Sequence, residues 1–142
     1  MKLLFVLPLA LFSFFITNEK TPYTSYTITQ EKIITIVATA DGMVYIGNDS
    51  MTTEELTKEL KTRFWKSYLG SGKLYDRIKL SFEGEVLMGT RGAVMDAIAE
   101  GQKLALKDIC LEKHKKLFED LSAKQQAKLK KQFPILFQTD FH

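Results

Sequence analysis

The chain has 142 residues, of which 45% are hydrophobic and 26% charged, the size and composition of one globular domain with its own core. Its net charge of +3 is modest, and the basic residues concentrate late, in the sequences KHKK and KLKK. No aromatic residues alternate with these lysines, as a nucleic-acid stacking platform requires, so solvated helix faces are favoured and no nucleic-acid partner is expected. Cys110 is the only cysteine, which excludes an intramolecular disulfide and favours a buried thiol.

The targeting signal of the chain is in residues 1–17. Lys2 precedes an uncharged run from Leu3 to Thr17, which is long for the apolar part of a signal peptide and short for a full membrane span. No small-x-small cleavage site follows, so a signal peptide and an uncleaved N-terminal membrane anchor both stay open. With Lys2 on the cytoplasmic side, either one sends the rest of the chain outward. Residues 18–32 are rich in Thr, Ser and Tyr and predict a linker, within which YTSYTIT could end as an edge strand.

The domain proper is expected to span residues 33–142, and it opens with a predicted β-hairpin from about Ile33 to Ile46. The segment IITIVAT is mostly β-branched, which is typical of a buried strand. Asp41 and Gly42 form a turn signal, and MVYI is the predicted return strand. The residues GNDS, from Gly47, are expected to end that strand.

A helix is predicted to begin at Thr52, because Thr52-x-x-Glu55 fits the capping box. Leu56, Leu60 and Phe64 follow at spacings of four and share one face. The sequence GSGK predicts the loop that ends this helix. Beyond it, DRIKLSF alternates between apolar and polar residues, which predicts a half-exposed strand that is antiparallel on at least one side or near a sheet edge.

Two further helices are predicted in the second half of the chain. One begins near Thr90 or Gly92, with a break allowed at Gly101, and carries Val94, Ile98, Ala105 and Ile109 along one side. The other opens at the capping-box pattern Ser122-x-x-Gln125 and is stopped by Pro134. The tail ILFQTDFH is either a last strand or a segment docked on the core. These elements predict an α+β fold, with a small mixed sheet containing a β-hairpin, two helices packed on it and an added C-terminal helical segment.

The stretch DGMVYIGNDSMTTE invites a metal-site interpretation, because Asp41, Asn48, Asp49 and Glu54 offer oxygen ligands. A calcium loop needs such ligands at alternating positions, whereas here hydrophobic residues occupy positions 43–46. Turn and capping chemistry explains every polar residue of the stretch, so no metal ligand is assigned.

Two other candidate sites are weak. Cys110 and His114 lie four residues apart on a predicted helix, the spacing of a two-ligand half-site or an imidazole-assisted thiolate. The other histidine is His142, so a buried cysteine and an exposed histidine are favoured. Arg91 follows a glycine-bearing loop that lacks both nucleotide-binding patterns, so an exposed loop arginine is favoured over an anion contact. We therefore assign no catalytic, cofactor-binding or metal residues and expect no cofactor and no enzyme.

A sequence of motifs carries a family resemblance between about Ile33 and Leu106. The hairpin residues Asp41, Gly42, Tyr45 and Ile46 are followed by the helix from Thr53 to Leu60. The strand RIKLSFEGEV comes next, and then the helix GTRGAVMDAIAEGQKLAL, with Gly92, Val94, Met95 and Ile98. This order resembles the extracytoplasmic domain of the ExbD/TolR biopolymer-transport family.

The resemblance implies a non-enzymatic, partner-binding component of a proton-motive-force-driven envelope energy-transduction or biopolymer transport system. Its implied partners are an ExbB/TolQ-like membrane protein, a TonB/TolA-like protein and a second copy in a homodimer, with partner segments bound by strand addition at an open sheet edge. The implied location is the inner membrane, single-pass with the domain in the periplasm, or the periplasm itself if the N-terminus is cleaved.

The sequence departs from the family pattern in two places. Family members carry a transmembrane aspartate that takes the proton, whereas no Asp or Glu lies between Met1 and Asn18 here. Family members also close the domain with a short strand after the second helix, where this chain has extra predicted helix. The alternative function is a small secreted or periplasmic binding protein that is unconnected to proton coupling.

Overall fold

The computed structural model describes residues 30–142 and confirms the predicted α+β class, with a mixed four-stranded sheet and three helices in that range. The strand order is β3-β2-β1-β4, with β1–β2 and β2–β3 antiparallel and β1–β4 parallel. The elements in chain order are β1 (Ile33–Thr39), β2 (Val44–Ile46), β3 (Asp49–Met51), α1 (Thr53–Ser71), β4 (Arg77–Glu83), α2 (Met88–His114) and α3 (Ala123–Gln132).

The predicted signal peptide or anchor, the strand YTSYTIT and most of the linker lie outside the described residues. The described part of the linker, residues 30–32, has no regular secondary structure. It already joins the sheet at its last residue, because the Lys32 carbonyl accepts a hydrogen bond from the Asp76 amide at 2.7 Å. Within residues 30–142, no helix has both the length and the apolar character needed to cross a membrane.

The predicted hairpin of β1 and β2 is confirmed, and Asp41 makes its turn. The Asp41 carboxylate accepts hydrogen bonds from the Thr39 hydroxyl and, at 3.3 Å, from the Met43 amide. Gly42 has φ +83°, a backbone conformation that residues other than glycine rarely adopt. The Thr39 amide donates to the Met43 carbonyl at 3.0 Å and closes the turn.

The return strand β2 ends at Ile46, directly before GNDS, as expected, but a third strand that the sequence did not predict follows. Gly47 has φ +61° and stands first in a two-residue connection, the position that glycine favours in tight hairpin turns. Asn48 completes the connection, and Asp49 to Met51 return as β3. Met51 pairs with Val44 and is buried, so the strand is anchored by an apolar residue beyond the polar run.

The helix α1 begins and packs as predicted. The Thr52 side chain accepts from the Glu55 amide at 3.3 Å, while the Glu55 carboxylate accepts from the Thr52 amide at 2.8 Å. These two bonds satisfy amides that a helix start leaves without partners. The predicted face is fully buried in the core that α1 shares with α2 and the sheet, and Gly72 ends the helix at φ +68°. The buried face consists of Leu56, Leu60 and Phe64.

The helix α2 begins earlier than predicted, at Met88, and runs without a break through Gly101 to His114. Gly101 lies where α2 crosses α1: a Cβ built there would be 3.0 Å from the Leu60 Cβ and 3.2 Å from the Thr57 carbonyl oxygen. The Thr57 hydroxyl donates to the Ala97 carbonyl across the same crossing at 3.0 Å. Gly101 therefore permits close helix packing and is not a break.

The C-terminal segment is α3 followed by a tail that docks on the core. Ser122 and Gln125 form the predicted capping box at the start of α3. Pro134 opens a short 3₁₀ turn, Pro134–Phe137, after α3 has ended. Ile135, Leu136 and Phe141 are buried, so of the two predicted alternatives the docked segment is the correct one.

The sheet has two unlike faces. Alternate residues of β1 and β4 are buried in the same hydrophobic core as residues of α1 and α2, and these are Ile34, Ile36, Ala38, Ile78 and Leu80. The residues between them point to the opposite face, where they are half-buried or exposed, as Thr35 and Lys79 are. The β4 side chains alternate as predicted, but β4 pairs with β1 in parallel, so of the two predicted arrangements the edge position is the correct one.

Candidate functional site

The outward face of the sheet carries one continuous cross-strand row. Ser81 pairs with Val37, Val37 with Tyr45, and Tyr45 with Ser50, so the row crosses all four strands. Ser50 is exposed and the other three are half-buried. In the described part of the chain these side chains keep part of their surface accessible, which leaves room for a contact on this face. The sheet edges decide where main-chain contacts are possible.

The outer edge of β4 is closed by the C-terminal tail. The Ile78 amide donates to Oε1 of Gln138, and Nε2 of Gln138 donates to the Ile78 carbonyl, both at 2.8 Å. Further along the strand, the Leu80 amide donates to the Phe141 carbonyl at 2.7 Å. A side-chain amide and a backbone carbonyl thus occupy hydrogen-bonding positions that a neighbouring strand would use.

Gln102 of α2 also holds this tail in place. It is a buried polar residue of α2, and its Nε2 donates to the Ile135 carbonyl at 2.7 Å and to the Gln138 carbonyl at 3.0 Å. A buried amide that satisfies two carbonyls is costly to remove, because those carbonyls would be left without partners. The tail is therefore an integral part of the β4 edge.

The outer edge of β3 is open in the described part of the chain. Ile46 and Asp49 flank the two-residue connection, so they form a hydrogen-bonded pair, and the next pair, Tyr45 and Ser50, does not exchange hydrogen bonds. The amide and carbonyl of Ser50 consequently point away from the sheet. Within residues 30–142, neither group has a backbone partner outside the sheet.

A cleft of about 620 Å³ lies beside this edge, between β3 and α1. Arg63 of α1 crosses to β3 and bonds Asp49 and Glu59, with each nitrogen–oxygen distance 2.7 Å. Burial opposes the charge of the Arg63 guanidinium, but these two carboxylates raise its pKa, so it stays a cation. The ion pairs fix β3 relative to α1. The lining residues are Asp49, Ser50, Met51, Glu55, Lys58, Glu59 and Thr62.

The acidic residues of the opening stretch do not converge. The carboxylate of Asp41 is used by its own turn, and its pKa is lowered first by the Thr39 hydroxyl and then by the Met43 amide. Asp49 bonds Arg63 at the other end of β2 and β3. Among residues 30–142, no three His, Cys, Asp or Glu side chains come close enough to hold a metal ion.

Cys110 is buried in α2, as the sequence predicts. Burial raises the pKa of its thiol, and the Glu119 carboxylate raises it further. A nucleophilic cysteine needs the opposite shift, because the thiolate is the reactive form. His114, one turn later, is half-buried at the junction with α3, beside Lys124 and Lys128. The pair therefore lacks the electrostatics of an activated thiol.

Arg91 is not the exposed loop residue that we expected. It lies in the first turn of α2, where its guanidinium stands 4.5 Å above the centre of the Phe82 ring. Its Nε also donates to the Val86 carbonyl at 3.1 Å. Both contacts connect the start of α2 to the end of β4, so the role of Arg91 is structural. The signal that sequence reasoning missed is the aromatic residue at the end of the strand.

Compared with known proteins, the chain matches no family model, no curated protein and no solved structure at a significant level. The geometry of the described residues therefore carries the functional argument. That geometry offers one open strand edge with a cleft beside it, one closed edge and one uncovered sheet face.

Proposed function

We propose that this protein is a non-enzymatic, partner-binding component of a proton-motive-force-driven envelope energy-transduction or biopolymer transport system. Its folded domain acts in the periplasm, and the uncharged run from Leu3 to Thr17 holds it at the inner membrane. Support comes from the order of β1, β2, α1, β4 and α2, which is the order of elements on which the resemblance to the ExbD/TolR family rests.

The open edge of β3 is the observation that carries this proposal. A partner in extended conformation adds beside Ser50, whose outward amide and carbonyl supply the main-chain hydrogen bonds. Its side chains lie beside Ser50 on the uncovered face and in the cleft beside α1. Because β3 has only three residues, the added strand gains few main-chain bonds, and we expect weak, reversible binding.

The proposed partners bind to different parts of the chain. An ExbB/TolQ-like membrane protein contacts the N-terminal segment, and a TonB/TolA-like protein supplies the extended segment that reaches β3. A second copy completes the assembly as a homodimer. The tail on β4 supports β3 as the binding edge, because a strand added at β4 must first displace Gln138 and Phe141.

Co-purification from membranes tests the proposal. The full chain, tagged at its C-terminus and extracted in mild detergent, is expected to retain an ExbB/TolQ-like protein and a TonB/TolA-like protein. Ser50→Pro removes the outward amide, and an edge strand tolerates proline there, so the TonB/TolA-like protein should be lost while the fold persists. Ser50→Ala removes only the hydroxyl and should retain both partners. A monodisperse protein without any membrane partner would contradict the proposal.

The alternative is a small secreted or periplasmic binding protein that is unconnected to proton coupling. It is favoured by one observation, that no Asp or Glu lies between Met1 and Asn18, where the family carries its proton-binding aspartate. N-terminal sequencing of the exported protein separates the two functions. Cleavage between residues 17 and 20 supports the free binding protein, whereas an intact Met1 in the membrane fraction supports the anchored component.

A further inference from the structure

The first half of α2 exposes an apolar stripe. Met88, Gly92, Met95 and Ala99 are all exposed and follow one another at spacings of four, three and four residues, which places them on one face of the helix. Met88 begins the stripe and Leu87, the residue before the helix, adjoins it; their exposures of 84% and 76% are the highest among the exposed large hydrophobic side chains of the described residues. Two adjacent apolar side chains at such exposure mark a contact surface better than scattered single ones do.

An apolar groove runs beside the stripe. It has a volume of about 290 Å³ and lies between α2 and the C-terminal tail. Its apolar lining consists of Leu80, Phe82, Met95 and Phe141, and Thr139, Asp140 and His142 form the rest. Met95 belongs to both the groove and the stripe, so the two form one continuous surface, which we call the α2 surface.

The segment that carries the stripe, residues 83–100, is acidic, whereas the whole chain has a net charge of +3. Between residues 83 and 100 the only cation is Arg91, whose guanidinium already lies on Phe82 and bonds Val86. None of the carboxylates in this segment forms a salt bridge within residues 30–142. They are all exposed, and they are Glu83, Glu85, Asp96 and Glu100.

We infer that the α2 surface docks a basic amphipathic helix of another protein. The apolar side of that helix lies on the stripe, with one large side chain in the groove beside Met95, and its lysines or arginines face the four carboxylates. Gly92 and Ala99 let the two helix backbones approach closely, and the methionines adapt to the partner's side chains.

Charge also argues against two other occupants. A second α2 packed on this stripe brings Asp96 and Glu100 of both copies together, which is unfavourable. An anionic lipid surface is repelled by the same carboxylates. The inference does not depend on the envelope role, because it requires neither the β3 edge nor a membrane motor.

Binding to immobilised peptides tests the inference. The probes are two designed helical peptides with leucines on one face, one with lysines and the other with glutamates on the opposite face. The full chain in non-ionic detergent should be retained by the lysine peptide and not by the glutamate peptide. Leu87→Asp combined with Met95→Asp should weaken retention about tenfold or more. Leu69→Asp is the matched control, since Leu69 is 60% exposed on the last turns of α1.

Charge reversal provides a second measurement at exposed positions. Glu85→Lys combined with Asp96→Lys should shift the preference from the lysine peptide to the glutamate peptide. Equal retention of both peptides by the unchanged protein, or equal loss in the Leu69→Asp control, would overturn the inference. Self-association of the unchanged protein that the Leu87 and Met95 substitutions abolish would assign the surface to a second copy and overturn it as well.

Discussion

Gln138 bonds Ile78 through both atoms of its side-chain amide, each at 2.8 Å, and so replaces one residue of a neighbouring strand. We predict that Gln138→Met lowers the free energy of unfolding by about 1–3 kcal/mol, because the Ile78 amide and carbonyl lose their partners beside the core. Urea denaturation followed by the fluorescence of Trp65 measures the change, and amide exchange at Ile78 should become faster.

Gln132→Met is the matched control for that substitution. Gln132 is exposed, and its side chain accepts a bond from Lys113 at the surface at 2.6 Å. A surface bond of this kind contributes little, so the unfolding free energy should stay within about 0.5 kcal/mol of the unchanged protein. Equal losses in the two variants would show that the contact with Ile78 has no special weight.

We predict that the substitution of glycine by alanine has opposite effects at two positions of α2. Gly101→Ala should destabilise the protein by about 1–3 kcal/mol, because the new Cβ presses on Leu60 and on the Thr57 carbonyl. Gly92→Ala should stabilise it by about 0.5–1 kcal/mol, because nothing lies within 4 Å of the new Cβ and alanine favours helix. Thermal unfolding of both variants measures the pair, and the same sign for both would contradict this account of the helix crossing.

Local signals predicted those parts of the fold that short sequence segments determine. The start of α1 depends on Thr52 and Glu55, three residues apart, and its buried face on a spacing of four. The turn at Asp41 likewise needs only its immediate neighbours. Capping, turn and periodicity arguments succeed there because every interacting group lies within one or two turns of chain.

Contacts between distant segments account for several features that the sequence did not predict. The role of Gly101 depends on α1, which faces it, and the Gln138–Ile78 contact joins residues 60 positions apart. The apolar and polar residues of β4 would alternate in the same way in a parallel and in an antiparallel edge strand. This alternation therefore could not predict that β4 pairs with β1 in parallel. The docked tail closes one sheet edge and leaves the other open. The sequence therefore predicted that partners bind at an open sheet edge, but it did not predict which edge that is.

The capping box of α1 adjoins the open edge of β3, and its loss should lower the stability of the protein. Thr52→Ala should lower the free energy of unfolding by about 1 kcal/mol, since it leaves the Glu55 amide without its acceptor. Thr53→Ala, one residue later, removes a hydroxyl that does not cap the helix and should cost less. Urea denaturation compares the two variants, and an equal loss would contradict the assignment of Thr52 as the cap.

Cys110 should make stability depend on pH in the alkaline range. Burial, and secondarily the Glu119 carboxylate, raise the pKa of its thiol above the ordinary value of 9.0, so the folded protein keeps a proton that the unfolded chain loses. The contribution to stability is therefore complete below the unfolded pKa and is lost as pH rises through the folded pKa, at up to about 1.4 kcal/mol per pH unit. Urea denaturation at pH values below and above 9.0 should show a steeper loss of stability for the unchanged protein than for Cys110→Ala, which differs from it only in lacking the thiol. Parallel pH profiles for the two proteins would contradict the prediction.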